Sequence, residues 1–103
     1  MAGYSTAEEA LADGFTVEHD PASQRFLLLR DGEVMGTAHY TLLGDTGIDF
    51  DGTEVTPALR GTGLAAILAH RAFTDKIRSG RELHTSCWFM AGYLERHPEL
   101  LDL

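Results

Sequence analysis

The sequence predicts one α+β domain with the order β-β-β-β-α-β-α and a single α/β-type crossover near its end. Three observations lead to this prediction. Between residues 15 and 55, short alternating or apolar segments are separated by turn-forming sequences. A long helical pattern, a short apolar segment and a second helical pattern follow. A chain of 103 residues is also the size of one compact domain with a single core.

Residues 1–14 form an N-terminal extension. Within it, Ser5-Thr6-Ala7-Glu8 has the form of a capping box, which favours a short helix that ends at Gly14. A frayed acidic tail explains the same residues equally well. The domain itself is therefore expected to span residues 15–103.

The first four strands are joined by short turns and predict an antiparallel meander. Asp31-Gly32 is a strong signal for a two-residue hairpin between the second and third strands. Pro57 ends the fourth strand because it has no N–H to donate to a ladder. The four strands are expected at Phe15–His19, Phe26–Leu29, Glu33–Leu43 and Ile48–Val55.

The remaining elements form the crossover. A helix is expected over Gly63–Ser79, a fifth strand over Leu83–Cys87 and a last helix over Trp88–Arg96. Because a strand–helix–strand connection is right-handed, the fifth strand should run parallel to the fourth. The result is a mixed sheet that is mostly antiparallel.

Composition narrows the classes of partner. Eight Lys and Arg residues face sixteen Asp and Glu residues, a net charge of −8, which argues against a nucleic-acid binder. No apolar run approaches the ~18 residues of a membrane span, and the start lacks a signal peptide. The lone Cys87 excludes an internal disulfide, and the histidines lack metal-ligand spacing. We expect a cytoplasmic protein without a metal.

The sequence RGTGLA, Arg60–Ala65, places two glycines where the long helix begins. The first N–H groups of a helix are unpaired and attract phosphate, and glycines let a bulky anion approach the backbone. A tight turn before a helix would use the same glycines, and neither a dinucleotide fingerprint nor a P-loop is present. The expected cradle consists of amides from Gly61, Thr62, Gly63, Leu64 and Ala65, with Arg60 at its mouth.

The segment TEVTPALRGTGLA resembles motif A of the GNAT superfamily, the acetyl-coenzyme A-dependent N-acetyltransferases. Arg60–Ala65 matches the fixed positions of that motif. The chain is most similar to the shortest members, single domains of this size. They typically have a Cys before an aromatic helix, as in Cys87-Trp88-Phe89, and an ending like Arg96-His97-Pro98-Glu99. The likeness runs from Phe15 to the C-terminus.

The resemblance implies that the loop amides hold the pyrophosphate of coenzyme A. It also implies that the backbone of Val55 and Thr56 pairs with pantetheine, where strands four and five splay apart. The implied function is transfer of an acetyl group from acetyl-coenzyme A to a primary amine of a small molecule or protein, by a monomer or homodimer. The alternatives are a coenzyme A-binding module that acts as a sensor or through a partner, and an interaction protein that lost the ligand.

Glu54 is the candidate base that takes the proton of the acceptor ammonium. In strict alternation it shares a face with Ile48 and Phe50, where partial burial would raise the pKa of its carboxyl. Gly52 marks a possible bulge that re-aims Glu54. The alternative is a solvated carboxylate at the end of a strand.

Two further residues occupy positions that the resemblance marks. Tyr93 is the candidate acid for the departing thiolate, and Cys87 could meet the acyl group and accept it transiently. Packing roles explain both side chains as well. Gly52 and Trp88 depart from the short members, which commonly have histidine at the first position and proline or a small residue at the second. Only Asp20–Gln24 separates the first two strands, where longer members place helices of the acceptor pocket.

Overall fold

The computed structural model of the chain describes residues 3–102. The outer limits of the predicted extension and domain, Met1, Ala2 and Leu103, therefore lie outside the described residues. The strands are β1 (Phe15–Asp20), β2 (Arg25–Arg30), β3 (Glu33–Leu43), β4 (Gly47–Val55) and β5 (Glu82–His84). The α-helices are α1 (Ala7–Ala12), α2 (Leu64–Thr74) and α3 (Trp88–Arg96).

The five strands form one sheet in the order β1-β2-β3-β4-β5. The first four pair antiparallel, and β4 pairs parallel with β5. Asp31 and Gly32 connect β2 to β3 with positive φ values of 53° and 77°, as a hairpin turn of this type requires. The predicted fold class, with its meander and its crossover, is confirmed.

Helices α2 and α3 cover one face of the sheet and bury the core. Helix α2 contacts β2, β3 and β4, whereas α3 contacts β4. Each fully buried Leu, Ile, Met or Phe side chain contributes about 1.5–3 kcal/mol. The largest fully buried side chains of the core are Tyr40, Phe26, Phe50, Phe73, Leu28, Ile48, Leu64, Leu68 and Met90.

The N-terminal segment contains the short helix α1, and its capping box lies one residue later than predicted. The Thr6 hydroxyl accepts the N–H of Glu9 at 3.2 Å, and the Glu9 carboxylate accepts the N–H of Thr6 at 3.1 Å. Gly14 donates to the carbonyl of Leu11 and has a φ of 88°, so it ends the helix as predicted.

The prediction that the long helix continues to Ser79 is wrong, because α2 ends at Thr74. Asp75 is extended (φ −72°, ψ 146°), and its carboxylate accepts the N–H of Ile77 at 2.8 Å. This capping bond starts a separate 3₁₀ turn over Lys76–Arg78. An aspartate that bonds nearby backbone groups competes with the helix.

The fifth strand is also shorter than predicted: its ladder covers Glu82–His84 and stops before Cys87. Beyond His84, the chain is joined to β4 by hydrogen bonds to a side chain of that strand. Ser86 donates its N–H and hydroxyl to the carboxylate of Asp49, at 2.9 and 2.7 Å. The hydrogen bonds that would extend the strand are thus replaced by bonds to Asp49.

We expect Asp75→Asn to lower the free energy of unfolding by about 1–3 kcal/mol at pH 7. The Asp75 carboxylate is 9% exposed and accepts from Arg71 at 2.6 Å. Burial alone would raise the pKa of Asp75, but the bonds from Ile77 and Arg71 and the charge of Arg71 hold it below its usual value. Urea unfolding of both proteins checks the difference.

The pH dependence of that difference has a definite sign. A depressed pKa in the folded state stabilises the protein above the unfolded pKa of about 3.9 and is lost as pH falls through the lower folded pKa. The gap between wild type and Asp75→Asn should therefore close in acid. Asp45→Asn, in the exposed turn before β4, removes the same charge and should show no such gap. An equal loss in both variants would contradict the prediction.

Candidate functional site

An open cavity of about 700 Å³ lies where β4 ends and α2 and α3 begin. Its walls come from the adjoining ends of β3 and β4, from the loop before α2 and from the start of α3. Six of the residues predicted for the site line it together: Glu54, Val55, Thr56, Arg60, Ala65 and Cys87. We call this cavity the cleft.

The cleft exists because β4 and β5 separate. Their parallel ladder joins only Gly47–Asp49 to Glu82–His84, and the Cys87 N–H then donates to the Phe50 carbonyl at 3.1 Å. Beyond Phe50, β4 continues to Val55 with no strand on that side among the described residues. The splayed geometry that the resemblance implied is present.

The backbone of Val55 points into this gap. Hydrogen-bonded and non-bonded pairs alternate along an antiparallel ladder. Thr56 donates its N–H to the Met35 carbonyl at 2.8 Å, so the preceding pair, Val55 with Gly36, is a non-bonded one. The N–H and C=O of Val55 therefore face the gap, where an extended ligand can pair with them.

Thr56 does not offer the same groups. Its N–H is donated to Met35, and its carbonyl accepts the N–H of Leu59 at 2.9 Å. The expectation that Thr56 pairs with pantetheine through its backbone is therefore not met in this structure. The Thr56 carbonyl is engaged by a short 3₁₀ turn over Pro57–Leu59, which was not predicted.

The loop before α2 keeps most of its amides available. The N–H of Thr62 donates to the Leu59 carbonyl at 3.4 Å, and that of Arg60 to the Pro57 carbonyl at 3.3 Å. Within residues 3–102, no protein acceptor is found for the amides of Gly61, Gly63, Leu64 and Ala65. The first helical bond runs from Ile67 to Gly63. This start of α2 is therefore positively polarised and open to an anion.

The two glycines of the loop have different environments. Both have left-handed backbones, with φ of 78° for Gly61 and 87° for Gly63. A methyl group on Gly61 would meet nothing within 4 Å, whereas one on Gly63 would collide with the carbonyl oxygen of Tyr4. Tyr4 also donates its N–H to the Thr62 carbonyl at 2.7 Å. Gly63 thus admits the N-terminal segment, and Gly61 leaves space in front of the loop.

Cys87 is half-buried at the point where the strands separate, directly before α3. Its Sγ lies 3.5 Å from the hydroxyl of Thr53, which also lines the cleft. Sequence reasoning missed Thr53. The bulge predicted at Gly52 was a signal for Thr53. A one-residue bulge reverses the alternation of the strand, so that Thr53 rather than Glu54 faces the helices.

That bulge also corrects the prediction for Glu54. Opposite β3, His39 pairs with Gly52 but Tyr40 pairs with Phe50, so one extra residue is inserted before Gly52. The predicted bulge is confirmed. Glu54 consequently pairs with Thr37, on the face opposite Phe50, and its side chain is exposed. The expectation of a shared, partly buried face with Ile48 and Phe50 is wrong.

Tyr93 lies away from the cleft. Its side chain is 6% exposed, stacks on His97 at 4.3 Å and approaches the Nδ1 of His70 to 3.3 Å. Burial, with the charge of Glu99, raises the pKa of its hydroxyl. It lines a second cavity of about 690 Å³ between the N-terminal segment and the outer side of α2. The structure therefore does not bring Tyr93 to Glu54 and Cys87.

No helix among the described residues is long and apolar enough to cross a membrane. Within the same residues, no group of three or more His, Cys, Asp or Glu side chains is placed to hold a metal ion.

Comparison with known proteins matches the same part of the chain. The family described as GCN5-related N-acetyl-transferase matches residues 25–103. Protein NATD1 of Mus musculus is 30% identical over 98 residues, covering 92% of this chain and 89% of that protein. Protein NATD1 of Homo sapiens is 30% identical over 83 residues, covering 80% of this chain and 74% of that protein.

A solved structure is similar in fold. It is an integron cassette protein from the mobile metagenome of Cole Harbour Salt Marsh, with a TM-score of 0.50 and 19% sequence identity. The match covers 89% of this chain and 70% of that chain. At this identity the likeness shows the fold alone.

We expect Gly63→Ala to destabilise the protein more than Gly61→Ala. A left-handed backbone costs a residue with a side chain about 1–2 kcal/mol, and both variants incur this. Only the Gly63 variant must also move Tyr4. Urea unfolding gives the two losses, and amide hydrogen exchange at Tyr4 should accelerate only in Gly63→Ala.

Gly44→Ala is the matched control. Gly44 has a φ of 61° in a turn, and an added methyl group would meet nothing within 4 Å. Its loss of stability measures the backbone cost alone, and Gly61→Ala should equal it. If all three variants lose the same free energy, the contact between Gly63 and Tyr4 does not constrain the loop.

Proposed function

We propose, because the chain belongs to the GCN5-related N-acetyl-transferase family, that it transfers an acetyl group from acetyl-coenzyme A to a primary amine. One observation carries the proposal. A strand edge without a partner and a half-buried thiol line the same cleft, and the helix start with its available amides borders that cleft through Arg60 and Ala65. Acetyl-coenzyme A has an extended amide arm between a diphosphate and a thioester, and these three features suit its three parts in order.

The diphosphate would lie at the start of α2. The amides of Gly61, Gly63, Leu64 and Ala65 supply donors there, and the exposed Arg60 supplies a full positive charge. The open space in front of Gly61 favours close approach of a bulky anion to this backbone. The amide of Thr62 is a weaker candidate donor, because it already bonds to the Leu59 carbonyl at 3.4 Å.

The amide arm would lie along β4 and pair with the N–H and C=O of Val55. The ligand would pair with the part of β4 that β5 leaves unpaired, in the manner of an added β-strand. Bound in this way, the coenzyme supplies an acyl group that is activated as a thioester. Thr53 and Cys87 line the same cleft and lie 3.5 Å apart, and we place the acyl group beside them.

Glu54 is the proposed general base. Only a neutral amine attacks an acyl group, so a proton must leave the acceptor ammonium. In the overall reaction, a C–N bond replaces the C–S bond. The ammonium nitrogen loses two protons, of which one is released to solvent and the other ends on the thiol of coenzyme A. A Glu54 carboxylate oxygen would take the first of these protons, directly or through water, and pass it to solvent. The exposed position of Glu54 leaves it accessible to an acceptor that enters from solvent.

Cys87 has a defined place in the proposal, as the side chain that contacts the acyl group. Its distance of 3.5 Å from the Thr53 hydroxyl supports a weak hydrogen bond. Tyr93 has no part in it, because its hydroxyl faces His70 in the second cavity. A free thiol that lines the cleft suits a reducing compartment such as the cytosol.

A coenzyme A-binding module without efficient catalysis is the second candidate. It is favoured by the separation of Tyr93 from the cleft, which leaves no tyrosine hydroxyl for the departing thiolate. This reading predicts binding without turnover. The two experiments below distinguish it from the first.

Acetyl-coenzyme A should raise the thermal midpoint of the wild-type protein. A ligand bound only by the native state at a hundredfold excess over its Kd stabilises by about 2.7 kcal/mol. Gly61→Val should lose most of this stabilisation, since the side chain fills the space before the amides. Gly44→Val, with a similar backbone far from the cleft, should keep it. No midpoint shift at millimolar ligand would remove both candidates, and an equal shift in all three proteins would place the diphosphate elsewhere.

Glu54→Gln should lower the rate of acetyl transfer by about 100-fold or more, as expected for loss of a general base. Release of free thiol from acetyl-coenzyme A over a panel of amines measures that rate. The coenzyme-induced midpoint shift should stay unchanged. Glu18→Gln, an exposed carboxylate on β1 that does not line the cleft, is the control. Unchanged activity in Glu54→Gln would refute the assignment, and binding without turnover by the wild type would favour the second candidate.

A further inference from the structure

The N-terminal segment reaches the loop before α2 through the backbone of Tyr4. The Tyr4 N–H donates to the Thr62 carbonyl at 2.7 Å, and the Tyr4 carbonyl occupies the place that a side chain on Gly63 would take. The family match covers residues 25–103, which include the loop but not Tyr4. One partner in this contact therefore lies outside the part of the chain that the family match covers.

Tyr4 is held in place by contacts outside the loop. Its ring packs edge-to-face on that of the buried Phe15, with centroids 5.6 Å apart. Its hydroxyl donates to the carboxylate of Asp13. The chain that follows Tyr4 is fixed by α1, whose capping box joins Thr6 to Glu9. The position of the Tyr4 N–H is therefore set by the N-terminal segment and by β1, and not by the loop that it contacts.

The carbonyl that accepts this bond belongs to the same peptide unit as the N–H of Gly63. That unit is trans, and the C=O and N–H of a planar trans peptide point in opposite directions. A donor that holds the Thr62 carbonyl therefore also fixes the Gly63 N–H, which is directed away from Tyr4. The Gly63 amide is one of those for which the described part of the chain provides no acceptor. It is thus presented to a ligand on the side of the loop opposite Tyr4.

Without the bond from Tyr4, rotation of this peptide plane would cost little. A half-turn of the plane would change φ of Gly63 from 87° to a negative value, and glycine accepts either sign. The rotated unit would present the Thr62 carbonyl, with its partial negative charge, in place of the Gly63 N–H. Thr62 is itself anchored only through its hydroxyl, which donates to the Leu59 carbonyl at 2.5 Å, and through a long bond from its N–H to the same carbonyl. Neither bond holds the plane that follows Thr62.

We propose that Tyr4 is a positioning residue of the coenzyme site, whose main-chain N–H holds the Thr62 carbonyl and thereby aims the Gly63 N–H at the diphosphate. This inference rests on the proposed function. Tyr4 acts through the peptide unit and does not itself touch the ligand. The N-terminal segment, expected from the sequence to be an extension outside the domain, thereby becomes part of the machinery that binds the coenzyme.

Removing the N–H of residue 4 tests the inference. Tyr4→Pro has no N–H at this position, whereas Tyr4→Ala loses the ring and hydroxyl but keeps the N–H. Isothermal titration calorimetry should give a Kd for coenzyme A that is about 10-fold higher in Tyr4→Pro than in Tyr4→Ala, as expected when one hydrogen bond to a charged group is lost. Ala7→Pro is the control, because proline is tolerated at the first position of α1, and its Kd should equal that of the wild type.

The amide NMR resonances of the loop give a readout that a merely structural role would not move. Coenzyme A should shift the Gly63 amide proton downfield in the wild-type protein, and this shift should be lost in Tyr4→Pro. The shifts of Leu64 and Ala65 should persist, because their N–H groups belong to other peptide units. An unchanged shift of Gly63 in Tyr4→Pro, or an equal loss at all three amides, would overturn the inference.

Hydrogen exchange on the wild-type protein keeps the inference testable even if Tyr4→Pro does not fold. Coupling between two equilibria is reciprocal, so saturating coenzyme A should slow exchange of the Tyr4 N–H by about 10-fold, the factor by which that bond strengthens binding. The Gln24 N–H, which donates to the Pro21 carbonyl at 3.2 Å in the turn between β1 and β2, is the reference and should not slow. Equal exchange of the Tyr4 N–H with and without coenzyme A would contradict the proposed role.

The two proposals fail in different ways. If acetyl-coenzyme A gives no thermal shift with the wild-type protein, both fail, because no diphosphate is bound. If that shift is present but Tyr4→Pro binds coenzyme A as tightly as Tyr4→Ala does, the role of Tyr4 is wrong and the proposed function stands.

Discussion

Separation of β4 from β5 after three residue pairs is the constraint on which the rest of the site depends. The Cys87 N–H, bonded to the Phe50 carbonyl, is the last backbone link between the two segments. Had the ladder continued, the Val55 backbone would be occupied and no cleft would open. Because α3 begins immediately afterwards, the same divergence places the thiol of Cys87 at the apex and turns Trp88 outward.

The cleft that results combines groups of opposite charge. Arg60 and the start of α2 present positive potential, and the Glu54 carboxylate lines the same cavity. Since the chain is strongly acidic overall, the attraction for an anion comes from local backbone geometry and Arg60 rather than from net charge.

Much of this arrangement could be predicted from local sequence. The hairpin at Asp31-Gly32 and the loop before α2 depend on residues close in the chain, and both were placed correctly. The errors involve contacts between distant segments. Asp49 takes the hydrogen bonds that would have lengthened β5, and the burial of Tyr93 depends on packing against α2. The error for Glu54 has a different origin. The bulge at Gly52 was predicted, but the resulting change in which face of the sheet carries the Glu54 side chain was overlooked.

The bond from the Tyr4 N–H to the Thr62 carbonyl joins the beginning of the described chain to the loop before α2. An affinity tag or fusion partner joined to the N-terminus would therefore be tethered through a segment that contacts that loop. Ligand affinities measured on differently tagged preparations would therefore not be directly interchangeable.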